Sequence, residues 1–311
     1  MNGPVLALAG GVGGAKLALG LARLLSPDEL VIAVNTGDDD CFHGLYVSPD
    51  LDTVMYTLAG LANPDTGWGL AGDTFHALAM LGRYGAETWF NLGDRDLATH
   101  IRRTQLLREG ATLSQATAEL CHSLGVQHPV VPMSDDPVAT ILTTDLGELP
   151  MQQYFVQHQA KLRVQAVHYR GAAQAQPAPA LSQALAEASL VVLCPSNPWL
   201  SLGPILAIPG IRQGLVNRAG PTVAVSPLVG GAALRGPAAK LMAELGQEAS
   251  SLGVARHYLG LCDTFVIDQQ DAALAPAIAA LGMHPVAAPI VMATEADKIA
   301  LAQRVLELGG W

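Results

Sequence analysis

The chain has 311 residues, half of them hydrophobic, enough for one large domain or two smaller ones around a sizeable core. Its formal charge of −10, with no Lys/Arg-rich segment, argues against a nucleic-acid polymer as partner, so a charged small molecule must be held by local backbone and cation placement. No uninterrupted apolar run reaches the roughly 18 residues of a membrane span, the first apolar run reads as a core strand rather than a signal peptide, and the four scattered cysteines (Cys41, Cys121, Cys194, Cys262) read as reduced thiols of a cytoplasmic protein.

The run Val5–Ala9 reads as a buried strand. Gly10, Gly11, Gly13 and Gly14 then turn the chain, and Lys16 opens an amphipathic helix over residues 17–25. Strand, glycine turn and helix N-terminus make an anion site, because glycines let backbone N–H groups approach phosphate and the helix dipole favours negative charge. A Walker A loop fails here, since Ala15 and Leu17 flank Lys16. A dinucleotide G-x-G-x-x-G counted from Gly11 meets Lys16 where its third glycine belongs. A glycine turn that serves only close packing is the plainer alternative.

Residues 30–35 form a second strand that ends in Asn35-Thr36-Gly37-Asp38-Asp39-Asp40, which gives a βαβ start and a parallel sheet. Helices are expected over residues 51–61 and 73–84, a short strand near 88–91, and two helices over 97–124 broken at Gly110. Antiparallel strands are expected at 138–143, 152–157 and 162–167. From residue 181 the α/β rhythm returns, with strands at 190–193, 222–225, 264–267 and 290–292 and a last helix over 296–308. The expected architecture is an α/β fold, a Rossmann-like three-layer core with a mostly parallel sheet and a smaller helical insertion. Residues 1–92 and 181–311 form that core, 93–128 the helical insertion, and 129–180 a β-hairpin-rich segment attached to it.

Most of these strands finish in Gly, Ser, Asn or acidic residues, so one polar rim gathers distant parts of the chain. Asp38, Asp39, Asp40, Asp50 and Asp52 beside a phosphate-binding turn need a cation between carboxylate and phosphate, and Mg²⁺ suits oxygen ligands of this kind. Helix capping and a solvated turn are the alternative for any one of them. Ser196-Asn197 between two prolines, and Ser226 with Gly230-Gly231, offer polar turns for a base or ribose, or simply turn chemistry. Arg95 between Asp94 and Asp96 can clamp phosphate or serve a structural ion pair. His43 and His100 can bond a ligand or move a proton, or merely pack. Trp68, Trp89 and Phe90 can stack on a flat ring or fill a core. No G-x-S-x-G elbow and no zinc-type Cys/His cluster is present, which removes those hydrolase and zinc chemistries.

Taken in order, these stretches resemble the 2-phospho-L-lactate transferase family of coenzyme F420 biosynthesis, the CofD-type enzymes. The resemblance rests on Gly10-Gly11-Val12-Gly13-Gly14-Ala15-Lys16, Asn35-Thr36-Gly37-Asp38-Asp39 with His43-Gly44, Ser48-Pro49-Asp50-Leu51-Asp52-Thr53, Gly67-Trp68-Gly69, Gly93-Asp94-Arg95-Asp96 with His100, Pro195-Ser196-Asn197-Pro198 and Ser226-Pro227-Leu228-Val229-Gly230-Gly231. It implies transfer of a phospho-acyl group from a guanosine diphosphate ester to the terminal ribityl hydroxyl of the deazaflavin Fo. GMP is released and Mg²⁺ is used. The donor acid, phospholactate, phosphoenolpyruvate or 3-phosphoglycerate, stays open. Gly11, Gly13, Gly14 and Lys16 would cradle the diphosphate, and Asp50 with Asp38 or Asp39 would hold the metal, one aspartate serving as base. Ser196, Asn197, Ser226, Gly230 and Gly231 would hold the guanosine end. The deazaflavin would lie over His43, Trp68, Asp94, Arg95 and Asp96, with Asp52, Thr53 and His100 nearby. A homodimer is implied. A dinucleotide-dependent oxidoreductase and a non-catalytic nucleotide or nucleotide-sugar regulator of the YvcK type are the rival readings.

Overall fold

The computed structural model describes residues 3–233 and 236–311. It opens with β1 (Val5–Ala9), α1 (Gly11–Ala22) and β2 (Leu30–Val34). The hairpin β3 (Asp40–Phe42) and β4 (Leu45–Val47) leads to α2 (Pro49–Leu58), α3 (His76–Arg83), α4 (Asp96–Arg108) and α5 (Leu113–Ser123). Next come β5 (Val130–Pro132) and an antiparallel excursion of β6 (Ala139–Thr144), β7 (Gly147–Pro150) and β8 (Val164–Arg170), with a π-helical turn at Gln153–Gln157. The chain continues through α6 (Pro179–Glu187), β9 (Leu190–Leu193), α7 (Leu202–Ala207), α8 (Ile211–Asn217) and β10 (Thr222–Val225). The small hairpin β11 (Leu228–Val229) and β12 (Ala232–Ala233) precedes α9 (Ala238–Glu244), α10 (Ser251–His257), β13 (Thr264–Asp268), α11 (Ala275–Ala279), β14 (His284–Ala288) and α12 (Glu295–Leu308).

Among the described residues the main sheet has seven strands, in the order β14-β13-β10-β9-β1-β2-β5, and every pairing is parallel. Its inner strands are largely apolar because both faces are covered. Leu6 and Leu8 of β1 point into one core with Leu181 and Ile205, while Val5, Ala7 and Ala9 point into the other with Leu17 and Ala302. From β1 the chain moves outward through β2 and β5, then returns to the other side of β1 with β9. The switch point therefore lies between β1 and β9, where open α/β sheets bind ligands beyond the carboxyl ends of their strands.

Several local expectations change. The first helix begins at Gly11, not at Lys16: Gly10 is extended, and the glycines form the opening turn of α1 itself. They also permit close packing, since a Cβ on Gly13 would run into the Pro195 carbonyl and one on Gly14 would stand 2.7 Å from Ser196 Oγ and 3.0 Å from Ala9 Cβ. Residues 88–91 form no strand. Instead Phe42 stacks on Phe90 at 3.9 Å and meets Trp89 edge-on at 5.3 Å, building a satellite core with Val47 and Leu92. Residues 152–157 are mostly the π-helical turn; β7 is the partner of β6. The last strand is β14 rather than residues 290–292, because Pro285 and the alanines of β14 hide its apolar pattern, whereas Ile290 and Met292 face a pocket. Val130–Pro132, placed by sequence with the hairpin segment, is the edge strand of the main sheet.

Candidate active site

A cavity of about 860 Å³ opens at the switch point. Its walls come from the turns after β1, β2, β9 and β10, from α2 and α4, and from the π-helical turn. Gly11, Gly13, Lys16, Asp38, Asp50, Asp52, Thr53, Trp68, Asp96, His100, Ser196, Asn197 and Ser226 all line it.

Asp38 and Asp50 are its chemical centre. The Asn35 amide nitrogen donates to Asp38 Oδ1 at 3.0 Å and to Asp50 Oδ2 at 2.9 Å, and so holds two buried carboxylates beside each other. The Gln152 amide donates to Asp38 Oδ2 at 3.0 Å. Asp50, in the first turn of α2, also accepts the Gly11 N–H and so meets the start of α1. Burial, together with the Asp50 charge, pushes the Asp38 carboxyl well above its ordinary range. Burial likewise pushes Asp50 up to about 6, against the lowering effect of Asn35 and Gly11. Neutral amides do not offset charge on two buried carboxylates, which is why both groups are pushed upward. Two carboxylate oxygen donors open to a pocket fit Mg²⁺, which commonly takes one or two carboxylates and fills its shell with water and phosphate oxygens.

Asp39 does not join them. Its Oδ2 accepts from Ser48 Oγ at 2.7 Å, its side chain lies off the cavity wall, and its buried Oδ1 has no hydrogen-bond partner. Of the two alternatives expected beside Asp50, Asp38 is the one that meets it, because the turn after β2 leads Asp39 away to Ser48. Among the described residues the set of three whose ligand atoms converge within 4.8 Å is Asp52, Asp96 and His100. There the positive charge is already supplied by the protein. Arg103, wholly buried, grips both Asp52 oxygens, Nη1 at 3.0 Å and Nη2 closer still. Burial would weaken the Arg103 charge, but Asp52 more than reverses this. Tyr56 completes the network by donating to Asp96 Oδ1 at 2.6 Å.

Other expected residues serve the frame. Ser196 Oγ accepts the Gly10 N–H at 3.1 Å and donates to the Gly10 carbonyl at 2.8 Å, stapling the end of β9 to the glycine turn. Asn197 Oδ1 accepts the N–H groups of Trp199 and Leu200. Ser226 Oγ accepts the Leu228 N–H, while Gly230 and Gly231 form the left-handed tip of the β11–β12 hairpin away from the cavity wall. Gly14 also lies behind the wall. Asp94 accepts from Thr74 Oγ1 and from the His76 and Ala77 N–H groups and so caps α3, and Arg95 donates to the Ala71 carbonyl. His43, at φ +52 in the β3–β4 turn, lines a separate cavity of about 230 Å³ with Cys41, Glu87 and Trp89. Lys16 stays on the wall, with Nζ donating to the Met292 carbonyl at 2.8 Å.

Sequence reasoning missed Asn35, Tyr56, Arg103, Gln152 and Phe155. Two of these left a trace: Asp96, His100 and Arg103 recur at i, i+4 and i+7, and Asp52 and Tyr56 at i, i+4, the spacing of one helix face. Gln152 left none, since only tertiary contact brings it to Asp38.

Fold and site together define a Rossmann-like α/β protein whose ligand pocket is walled by a glycine-opened helix and a carboxylate pair. A family model described as "2-phospho-L-lactate transferase CofD" matches residues 5–302, and the chain belongs to that family of transferases. It is 42% identical over 310 residues to the phosphoenolpyruvate transferase of Streptomyces griseus, covering 98% of each chain, and 44% identical over 311 residues to that of Streptomyces avermitilis, covering 98% and 97%. It is 37% identical over 303 residues to the 2-phospho-L-lactate transferase of Methanosarcina mazei, covering 97% and 99%. The crystal structure of a UPF0052 family protein from Bacillus halodurans shares the fold, with TM-score 0.64 at 15% identity and coverage of 98% and 99%.

Proposed function

We propose that this transferase acts in coenzyme F420 biosynthesis, moving a phospho-acyl group from its guanosine diphosphate ester to the terminal ribityl hydroxyl of Fo and releasing GMP. One observation carries the reading: the Asp38–Asp50 pair faces the glycine-opened N-terminus of α1 inside a cavity of about 860 Å³. The hydroxyl oxygen bonds to the phosphorus that carries the acid and gives its proton to an aspartate carboxylate of the pocket, the bond from that phosphorus to the bridging oxygen breaks, and GMP leaves with the bridging oxygen. Such displacement needs positioning and charge stabilisation more than covalent help. The opening N–H groups of α1 and the Lys16 ammonium would receive the diphosphate. Asp38 and Asp50 would hold Mg²⁺, which when bound offsets charge on the phosphoryl oxygens. Trp68 and Phe155 on the wall would bracket the flat ring, and the guanosine end would lie by Asn197 and Ser226.

The names of the relatives at 42–44% identity support an enolpyruvyl phosphate donor. Mass spectrometry of Fo incubated with Mg²⁺ and each of three guanosine donors tests this: a product carrying phosphoenolpyruvate, with GMP released, is expected. Mg²⁺-dependent GDP binding without product from any donor would favour the regulator instead.

The family resemblance also supports a homodimer. Helix α3 buries only Leu78, while Phe75 and Tyr84 flanking it and Met80 on it are exposed apolar side chains that a second copy would cover. Phe75→Glu with Tyr84→Glu is expected to shift light scattering from dimer to monomer mass; an unchanged mass would place the interface elsewhere. No helix among the described residues is long and apolar enough to cross a membrane. The cysteines are free thiols, which supports a cytoplasmic setting.

A further inference from the structure

We propose that the π-helical turn at Gln153–Gln157 couples the two halves of the pocket: Gln152, entering it, holds Asp38 in position for a divalent cation, and Phe155, within it, receives the flat ring of the acceptor. Cation and acceptor each tighten the binding of the other. This rests on the transferase reading of the pocket. Gln152 and Phe155 are three residues apart, the spacing of neighbours on one helix face, and both lie on the cavity wall with Met151 and Val156. Their exposure separates their tasks: Gln152 is 4% exposed and meets the carboxylate, whereas Phe155 is 36% exposed and open to a ligand.

The Gln152 amide nitrogen stands 3.0 Å from Asp38 Oδ2 and 3.4 Å from the Asp38 carbonyl oxygen. Both are acceptors, so the amide is assigned with its NH₂ end toward Asp38. Asn35, on the other Asp38 oxygen, comes from the same turn after β2, whereas Gln152 ties this carboxylate to a distant segment. Behind the wall the turn is anchored by the buried Tyr154, whose hydroxyl donates to the Ala160 carbonyl at 3.4 Å. Lys240 of α9 stands 5.7 Å from the Tyr154 ring centre and donates to the Leu162 carbonyl at 2.7 Å. The turn closes through the bond from the His158 N–H to the Gln153 carbonyl at 2.9 Å. Gln159 and Ala160 follow at φ +54 and +52, a left-handed backbone that residues other than glycine rarely adopt. Tertiary contacts rather than local preference therefore hold this segment, and backbone of this kind recurs at ligand clamps. A ring stacked on Phe155 and a cation on Asp38 both favour the same placement of the turn, which makes their binding free energies interdependent. Gln152 is a positioning residue; it acts through Asp38.

Mn²⁺ binding followed by electron paramagnetic resonance, without turnover, tests the coupling; the site counted is the one lost in Asp38→Asn. In wild-type protein, saturating Fo is expected to tighten Mn²⁺ at least about fivefold, and Mn²⁺ to tighten Fo by the same factor. Gln152→Met keeps the bulk of the side chain and loses the amide. It should weaken Mn²⁺ roughly 10- to 100-fold in the absence of Fo and cut the gain on adding Fo to under about twofold. Gln152→Asn withdraws the amide by one methylene; it should do the same, and it decides the matter if the methionine variant does not fold. A side chain that only filled space would show neither effect in Gln152→Met. No Mn²⁺ site that Asp38→Asn removes, or equal Mn²⁺ affinity with and without Fo in wild type, would overturn the proposal. So would a gain kept whole in Gln152→Met, because the two ligands would then be coupled without the turn. If no donor gives product in the mass-spectrometric assay, the transferase reading fails while the Mn²⁺ titrations still decide the coupling.

Discussion

Asp50→Asn should lower turnover by roughly 10²- to 10³-fold and weaken its Mg²⁺ dependence, without destabilising the fold. Asp50 is held by the Asn35 amide and the Gly11 N–H, beside the more deeply buried Asp38. An asparagine keeps the shape and an acceptor oxygen but removes the charge that a divalent cation and the phosphates it carries would meet. The same environment fixes the pH response. Burial raises the Asp50 carboxyl from 3.8 to about 6 in the folded protein, so its contribution to stability is fully present below pH 3.8 and is lost as pH rises through about 6. Metal-free wild-type protein should therefore lose stability relative to Asp50→Asn between about pH 4 and pH 7, and Mg²⁺ should restore it. Steady-state kinetics over a Mg²⁺ series, with thermal melts across that pH window, check both parts. Full activity with unchanged Mg²⁺ dependence would remove Asp50 from the metal site.

Arg103→Met should cost about 3–5 kcal/mol of stability, because it leaves Asp52 buried without its counter-charge. Arg103 is wholly buried and Asp52 is 5% exposed, so water cannot take over the lost interaction. For a chain of this size that loss corresponds to a melting temperature lower by on the order of 10 °C. Adding Asp52→Asn removes the stranded carboxylate and should recover much of the loss, since the penalty belongs to the unpaired charge rather than to the missing guanidinium. Calorimetry of the two single variants and the double variant measures the coupling. A melting point for Arg103→Met within about 2 °C of wild type would mean that the pair carries little of the fold.

These two cases mark where the sequence stopped being legible. Asp50 stands out in the primary structure because it follows a proline at a helix start and sits near four other aspartates. Arg103 looks like one more polar residue of a surface helix, and only the packing of α4 on β4 and α5, with Asp52 of α2 as its partner, turns it inward. Asp39, next to Asp38, looked equivalent to it, yet the turn after β2 sends one side chain to Asn35 and the other to Ser48. Ser196 looked like a nucleoside contact and is the staple of the glycine turn.

By itself the sequence determined the parallel α/β core, the glycine turn after its first strand and the family, because short-range signals encode them. Apolar runs mark buried strands, glycines mark close approach, and an ordered set of motifs survives independently of contacts. Only the tertiary structure decided that Asp38 lies beside Asp50, that Asn35 and Gln152 hold them, and that Arg103 fixes Asp52. Those facts depend on distances between residues up to 114 positions apart in the chain. A carboxylate's role is set by which cation or amide it meets once desolvated, and no local pattern carries that information.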